Sequence, residues 1–146
     1  MRAVAIVLAV GLAAGACTSD PSGVVVTIEQ DGRRLEVTVE VADSPEERSR
    51  GLRFRDELSP GTGMVFIFDD LAPRTFTMED VRIPLDLLVV RRGRLIEVFE
   101  MSPCAGDPAN CLYRTLPADA AVEIPGGATA TAGITPGALV DLPIAR

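Results

Sequence analysis

Histidine and tryptophan are absent from the chain, tyrosine occurs once and cysteine three times. Each scarcity closes a class of chemistry. Without histidine, these residues alone assemble no Ser-His-Asp triad, no Cys-His pair and no histidine-based metal centre. No glycine-rich phosphate loop or other cofactor motif is present either, so neither a cofactor nor a metal is expected. Positive charge is also in deficit: 14 basic residues stand against 21 acidic ones, a formal net charge of −7. A chain this acidic is a poor partner for nucleic acid phosphates or an anionic bilayer, and no nucleic acid partner is expected.

The chain of 146 residues has room for one ordinary domain and a short additional segment. That segment lies at the start, where Arg2 is followed by an uncharged run from Ala3 to Ala16 and then Cys17. One positive charge, a short apolar stretch and a small-residue end form the anatomy of a secretory signal over residues 1–16. The run is too short for a membrane span, which needs about 20 apolar residues. Its end, LAAGAC, resembles a bacterial lipobox, although Ala14 stands where Leu is usual. Ala14-Gly15-Ala16 also satisfies the ordinary A-x-A rule, and both readings cut between Ala16 and Cys17. The expectation is export, with an acyl anchor on Cys17 holding the protein to a membrane of the cell envelope, outside the cytoplasm. Residues 17–23 read as a tether. Two thiols then remain, Cys104 and Cys111, and the short polar loop between them favours a disulfide in an oxidising compartment.

Residues 24–146 read as one mainly β domain. Leu35, Val37, Val39 and Val41 alternate with polar residues, and Asp31-Gly32 between two such runs signals a tight hairpin. Ser44, Pro45 and Glu47 form a helix start with a capping box, and Gly51 ends that helix after about two turns. Alternation places Met64, Phe66 and Phe68 on one face of a strand and Phe76 with Met78 on one face of another. IPLDLLVV and RLIEVFEM flank an Arg-Arg-Gly turn, AAVEIP and ALVDLPI are two further short strands, and the Gly/Thr/Ala-rich segment between them reads as a turn or single helical turn. About eight short strands and one short helix predict a small sandwich or barrel.

The blocks VADSPEERSRGLRFRDELSPGTGMVFIF, RTFTMEDVRIPLDLLVV, the Cys104 and Cys111 region, AAVEIPGG and GITPGALV occur in the order of one family. Over about residues 36 to 142 the chain resembles the family known as domain of unknown function 192. The resemblance implies a compact, jelly-roll-like β domain, often exported or membrane-anchored, and no established activity. Arg53 replaces the usual Met of that family, Thr77 its Trp, and Glu79-Asp80-Val81 its Lys-Asn-Thr. If that Trp lines a pocket in relatives, the pocket here is wider, wetter or absent.

Among candidate site residues, Asp86 is the most conspicuous, an acid within the apolar run IPLDLLVV of a strand covered on both faces. Its carboxylate either pins the start of the strand through backbone N–H groups or an arginine, with Arg74 the nearest candidate, or faces a ligand. Arg74 itself is a solvated strand end or part of a polar patch. Asp80 lies close in sequence, and Asp80, Asp86 and Glu123 are the acids from which a hydrolase would draw a carboxylate pair. Asp69, Asp70, Glu79 and Asp80 lack the spacing of a calcium loop. Met64 and Met78 read as core residues, and Tyr113 as an anchored core residue or a recognition rim. The reading favoured is an anchored binding or accessory module using Arg74, Asp80 and Asp86, with an envelope hydrolase or a structural docking domain as alternatives.

Overall fold

The computed structural model describes residues 23–144. The expected signal segment, the expected anchor position Cys17 and most of the expected tether lie outside them. The chain runs β1 (Val24–Gln30), β2 (Arg33–Ala42), α1 (Pro45–Arg50), β3 (Thr62–Ala72), β4 (Thr75–Thr77), β5 (Leu85–Arg91), β6 (Arg94–Met101), a 3-10 turn (Pro108–Cys111), β7 (Leu112–Arg114), β8 (Ala118–Pro125), α2 (Ala128–Ala132) and β9 (Leu139–Asp141). Of sandwich and barrel, the barrel is what forms. Seven strands close it in the order β1-β2-β3-β8-β5-β6-β9, while β4 and β7 make a separate two-stranded ribbon.

Turn chemistry explains much of this path. Asp31 and Gly32 both adopt left-handed backbone angles, φ 50° and 77°, and join β1 to β2 as a two-residue hairpin in register Gln30 to Arg33. Arg92 and Gly93 do the same between β5 and β6. The carboxylate of Asp119 accepts the Arg92 N–H at 3.0 Å and holds that turn. The pairing of β2 with β3 is parallel, in contrast to the other pairs of the barrel. A parallel pair needs a crossover, and here α1 and the loop after it supply one. That crossover lays α1 against the outside of the barrel, where it becomes a wall of the candidate site.

Two apolar layers result. Inside the barrel, Val26, Ile28, Val37, Val65, Leu88, Val122 and Ile124 meet across the lumen. Outside, Met64, Phe66, Leu85, Leu87, Ala121 and Met78 form a second layer beneath the β4–β7 ribbon and α1. The strands β3, β5 and β8 contribute to both layers, so β5 is buried along all its residues from Leu85 to Val90. Full burial of each large side chain in the second layer is worth about 1.5–3 kcal/mol. The ribbon is pinned by the Cys104–Cys111 disulfide, which forms across seven positions of sequence immediately before β7. Among the described residues, no helix is long and apolar enough to cross a membrane.

Among the described residues, nine strands and two short helices stand where about eight strands and one short helix were expected. The additional strand is the three-residue β7, too short for alternation to reveal it, while the expected strands at Phe76 and Val140 are the short β4 and β9. The Gly/Thr/Ala-rich segment is the second helix, a single turn.

Candidate functional site

Four features of the sequence build a cleft on the outer face of the barrel. Ser44 caps α1: its Oγ accepts the Glu47 N–H at 3.3 Å, and the Glu47 carboxylate accepts the Ser44 N–H at 3.1 Å. Gly51, at φ 50°, then stops the helix and donates its N–H to the Glu47 carbonyl. Arg48, Arg50 and Arg53 of this short helix and its exit reach one side of the cleft. Phe66 and Phe68 of β3 and Phe76 of β4 make its apolar floor. The Phe66 and Phe76 rings lie 5.3 Å apart, edge to face, and Phe68 stands 6.5 Å from Phe76. Thr75, Thr77 and Val81 close the opposite side, and Glu123 of β8 completes the lining of a cavity of about 310 Å³.

Glu123 is the chemically unusual member. It faces the outer layer, paired in register with Met64 on one side and Leu87 on the other. It is 5% exposed, and among the described residues no donor or cation pairs with its carboxyl. Burial pushes its pKa from 4.5 to about 8, so at neutral pH the group is protonated. A neutral carboxyl can donate one hydrogen bond and accept another.

The arginines around the cleft are occupied to different degrees. The Arg74 guanidinium lies 4.2 Å above the Phe68 ring and its Nη2 pairs with Asp70 at 2.6 Å. That hydrogen bond holds the Asp70 carboxyl below its usual range. The Nε of Arg74 is buried with no acceptor among the described residues. Arg48 donates to the Asp43 and Ile67 carbonyls. Arg53 approaches Glu79 at 3.6 Å, a loose contact, and Arg50 has no ion-pair partner among the described residues.

Of the residues singled out from sequence, Arg74 lines the cleft, and Asp80 and Asp86 do not. Asp86 points into the barrel side of β5 and is 1% exposed; its Oδ1 accepts the Gly127 N–H at 2.9 Å and its Oδ2 the Thr129 N–H at 2.8 Å. The expected tether is therefore made to backbone, and Arg74 is engaged elsewhere. Asp80 is an exposed residue of a tight turn, with φ 61°, whose carbonyl accepts the Phe54 N–H at 2.8 Å. Asp86 and Glu123 lie on neighbouring strands with their side chains on opposite faces, so the three acids do not converge. Among the described residues, no cluster of acids and thiols has the makings of a metal site. Met64 and Met78 are core, as read, and Tyr113 packs edge to face on Phe99 at 5.8 Å. The floor of three phenylalanines and the place of Glu123 beneath it are what sequence reasoning missed. The available signal was the run AAVEI, apolar on both sides of one acid, like the run around Asp86.

Thr77, which replaces the Trp of the family pattern, lines this same cleft. The profile of the DUF192 family, described as an uncharacterized ACR, matches residues 26–142. The chain belongs to that family. No curated protein sequence matches it. Two solved structures share its fold. One, from Sinorhizobium meliloti 1021, is named provisionally as a transcription regulator; it is 26% identical with a TM-score of 0.73 over 80% of this chain and 91% of that one. The other, a protein of unknown function from Novosphingobium aromaticivorans DSM 12444, is 31% identical with a TM-score of 0.75 over 82% of this chain and 85% of that one.

Proposed function

For this member of an uncharacterised family we propose the role of an exported binding module, held to a membrane of the cell envelope by an acyl anchor on Cys17. Its binding site is the cleft between α1, β3 and β4. The observation that carries this reading is the cleft itself: a concave surface with an aromatic floor and one unpartnered, buried carboxyl among arginines. A fold does not leave a carboxyl in that condition without cost, because burial without a partner destabilises it. A hydrolase working through two carboxyls is less well supported, since Glu123 is the one acid in the cleft lining.

Export is supported by the charge and hydropathy pattern of residues 1–16 and by the Cys104–Cys111 disulfide, which suits an oxidising compartment. The regulator name of the Sinorhizobium meliloti protein finds little physical counterpart here. The helices α1 and α2, of six and five residues, are short for reading a major groove, and the net charge of −7 opposes phosphate.

Native mass spectrometry of the full-length protein, extracted from the envelope in mild detergent, tests the binding role. A bound small molecule that is lost in Phe76→Ala supports it; a protein of bare polypeptide mass in every preparation contradicts it. Cys17→Ser tests the anchor, and its release into the aqueous phase on detergent partitioning is expected. Retention of that variant with the membrane contradicts lipidation.

A further inference from the structure

Resting on the cleft as the binding site, we propose that its ligand is a small organic anion with a flat apolar body and an oxygen acceptor at the end remote from the charge. The body lies on Phe66, Phe68 and Phe76, the anionic group meets Arg50 and Arg53, and the acceptor takes a hydrogen bond from Glu123.

Size sets the first limit. About 310 Å³ is at the small end of ligand pockets, which run to about 1,000 Å³, and corresponds to a compact, single-ring molecule. Three edge-to-face phenylalanines favour a planar body over a branched one.

Charge sets the second. Arg48, Arg50, Arg53 and Arg74 all border the cavity, so its mouth repels a cation although the whole chain is acidic. Two of the four already have partners for their charge, Arg74 through its Nη2 with Asp70 and Arg48 with two carbonyls. Arg50 lacks an ion-pair partner among the described residues and Arg53 has a single contact at 3.6 Å, so these two are available to an incoming anion. A guanidinium fork matches a carboxylate in two parallel hydrogen bonds.

The third limit comes from Glu123. An ammonium ligand would have to pass the arginines and then ionise a carboxyl buried without any cation of its own. A ligand oxygen asks only that the neutral carboxyl turn its proton toward it, and satisfies a group that has no partner among the described residues. The unmet Nε of Arg74 beside the same cavity is likewise a donor. Both groups leave a donor for which an oxygen of the ligand is the partner.

A series of probes with one ring and three charges tests this: 4-hydroxybenzoate, 4-hydroxybenzamide and 4-hydroxybenzylamine, titrated into the full-length protein in detergent and followed by methyl NMR at Leu52 and Val81. The anion is expected to bind about tenfold or more tightly than the amide, with no binding of the amine. Arg50→Ala with Arg53→Ala should erase the preference for the anion without altering the fold, since both side chains reach solvent. Glu123→Gln, neutral and still a donor, should keep the affinity within about threefold, while Glu123→Leu should lose about fivefold or more. Equal or tighter binding of the amine, or loss of binding in Glu123→Gln with the fold intact, overturns the proposal and leaves the cleft a binding site of another specificity. Silence from all three probes also overturns this ligand class, and the role of the cleft then rests on the co-purified mass alone.

Discussion

The carboxylate of Asp86 on β5 accepts the N–H of Thr129 at 2.8 Å, joining two residues 43 positions apart. With the Gly127 N–H at 2.9 Å on its other oxygen, Asp86 caps α2 from a different strand. Gly127 occupies the N-cap position of α2 and has no side chain with which to do so. The Gly126 N–H completes the junction by donating to the Pro84 carbonyl at 3.0 Å. The segment so fastened delivers Ile134 and Ala138 to the barrel interior.

Asp86→Asn should therefore destabilise the fold by about 2–3 kcal/mol, because an amide offers one acceptor where two N–H groups need one each. Thermal denaturation should register a fall in Tm of about 6–15 °C. The probe affinities of the cleft, on the opposite face of the sheet, should not move. An unchanged Tm would contradict the tether.

The hydroxyl of Thr129 is buried with no hydrogen-bond partner among the described residues, while its N–H is the one held by Asp86. Thr129→Val keeps the shape and the N–H and removes the orphaned oxygen. Its Tm should equal or exceed that of the natural chain, since an unsatisfied buried polar group costs about 1–3 kcal/mol. A marked fall would show that the hydroxyl has a partner, such as a buried water.

Glu123 makes stability depend on pH in a direction opposite to that of most carboxylates. Its pKa is about 8 in the folded chain and near 4.5 when exposed on unfolding. Below about pH 4.5 both states hold the proton and Glu123 contributes no pH dependence. Between about 4.5 and 8 the unfolded chain has lost a proton that the folded chain keeps, so stability falls as pH rises, by on the order of 3–5 kcal/mol in total. Glu40, whose carboxyl is held low by its hydrogen bond to Arg55, and Glu47, held low by Ser44, act at more acid pH and leave this window clear. Glu123→Gln should flatten the profile from pH 5 to 8.5 and exceed the natural chain in Tm at its alkaline end.

Reducing the Cys104–Cys111 disulfide should cost about 2–3 kcal/mol, the closure entropy of a short loop. The effect should be local. Met78 donates its N–H to the Cys111 carbonyl, and Thr75 to Thr77 pair with Arg114 to Leu112, so the ribbon loosens as a unit. Amide exchange at Thr75–Thr77 and Leu112–Arg114 should accelerate on reduction, while Val122 in the barrel stays protected. Uniform acceleration would mean that the bridge supports the whole fold.

Elements with local causes were legible in the sequence. Asp31-Gly32 dictates its hairpin, Ser44 to Gly51 writes out a capped helix, and the apolar run around Asp86 identifies a strand covered on both faces. The tether of Asp86 was foreseen in kind, although its partners, two N–H groups of a segment 41 and 43 residues later, were not. Alternation assigned Phe66, Phe68, Phe76 and Arg74 to faces of their strands. It carries no information on which strands adjoin, so the meeting of these residues with Glu123 depended on the antiparallel pairing of β3 with β8, and the arginine wall on the crossover that the parallel β2–β3 pair forces. The three-residue β7 lies below the length at which a period can be read.

The account stands on Glu123 being a neutral, unpartnered carboxyl in the cleft. Carbon-13 NMR titration of the side-chain carboxyls in glutamate-labelled protein observes this directly. One resonance, absent from Glu123→Gln, should titrate with a midpoint near pH 8. A Glu123 resonance that titrates in the ordinary range about pH 4–5 would mean that the group is solvated or paired, and would contradict the account.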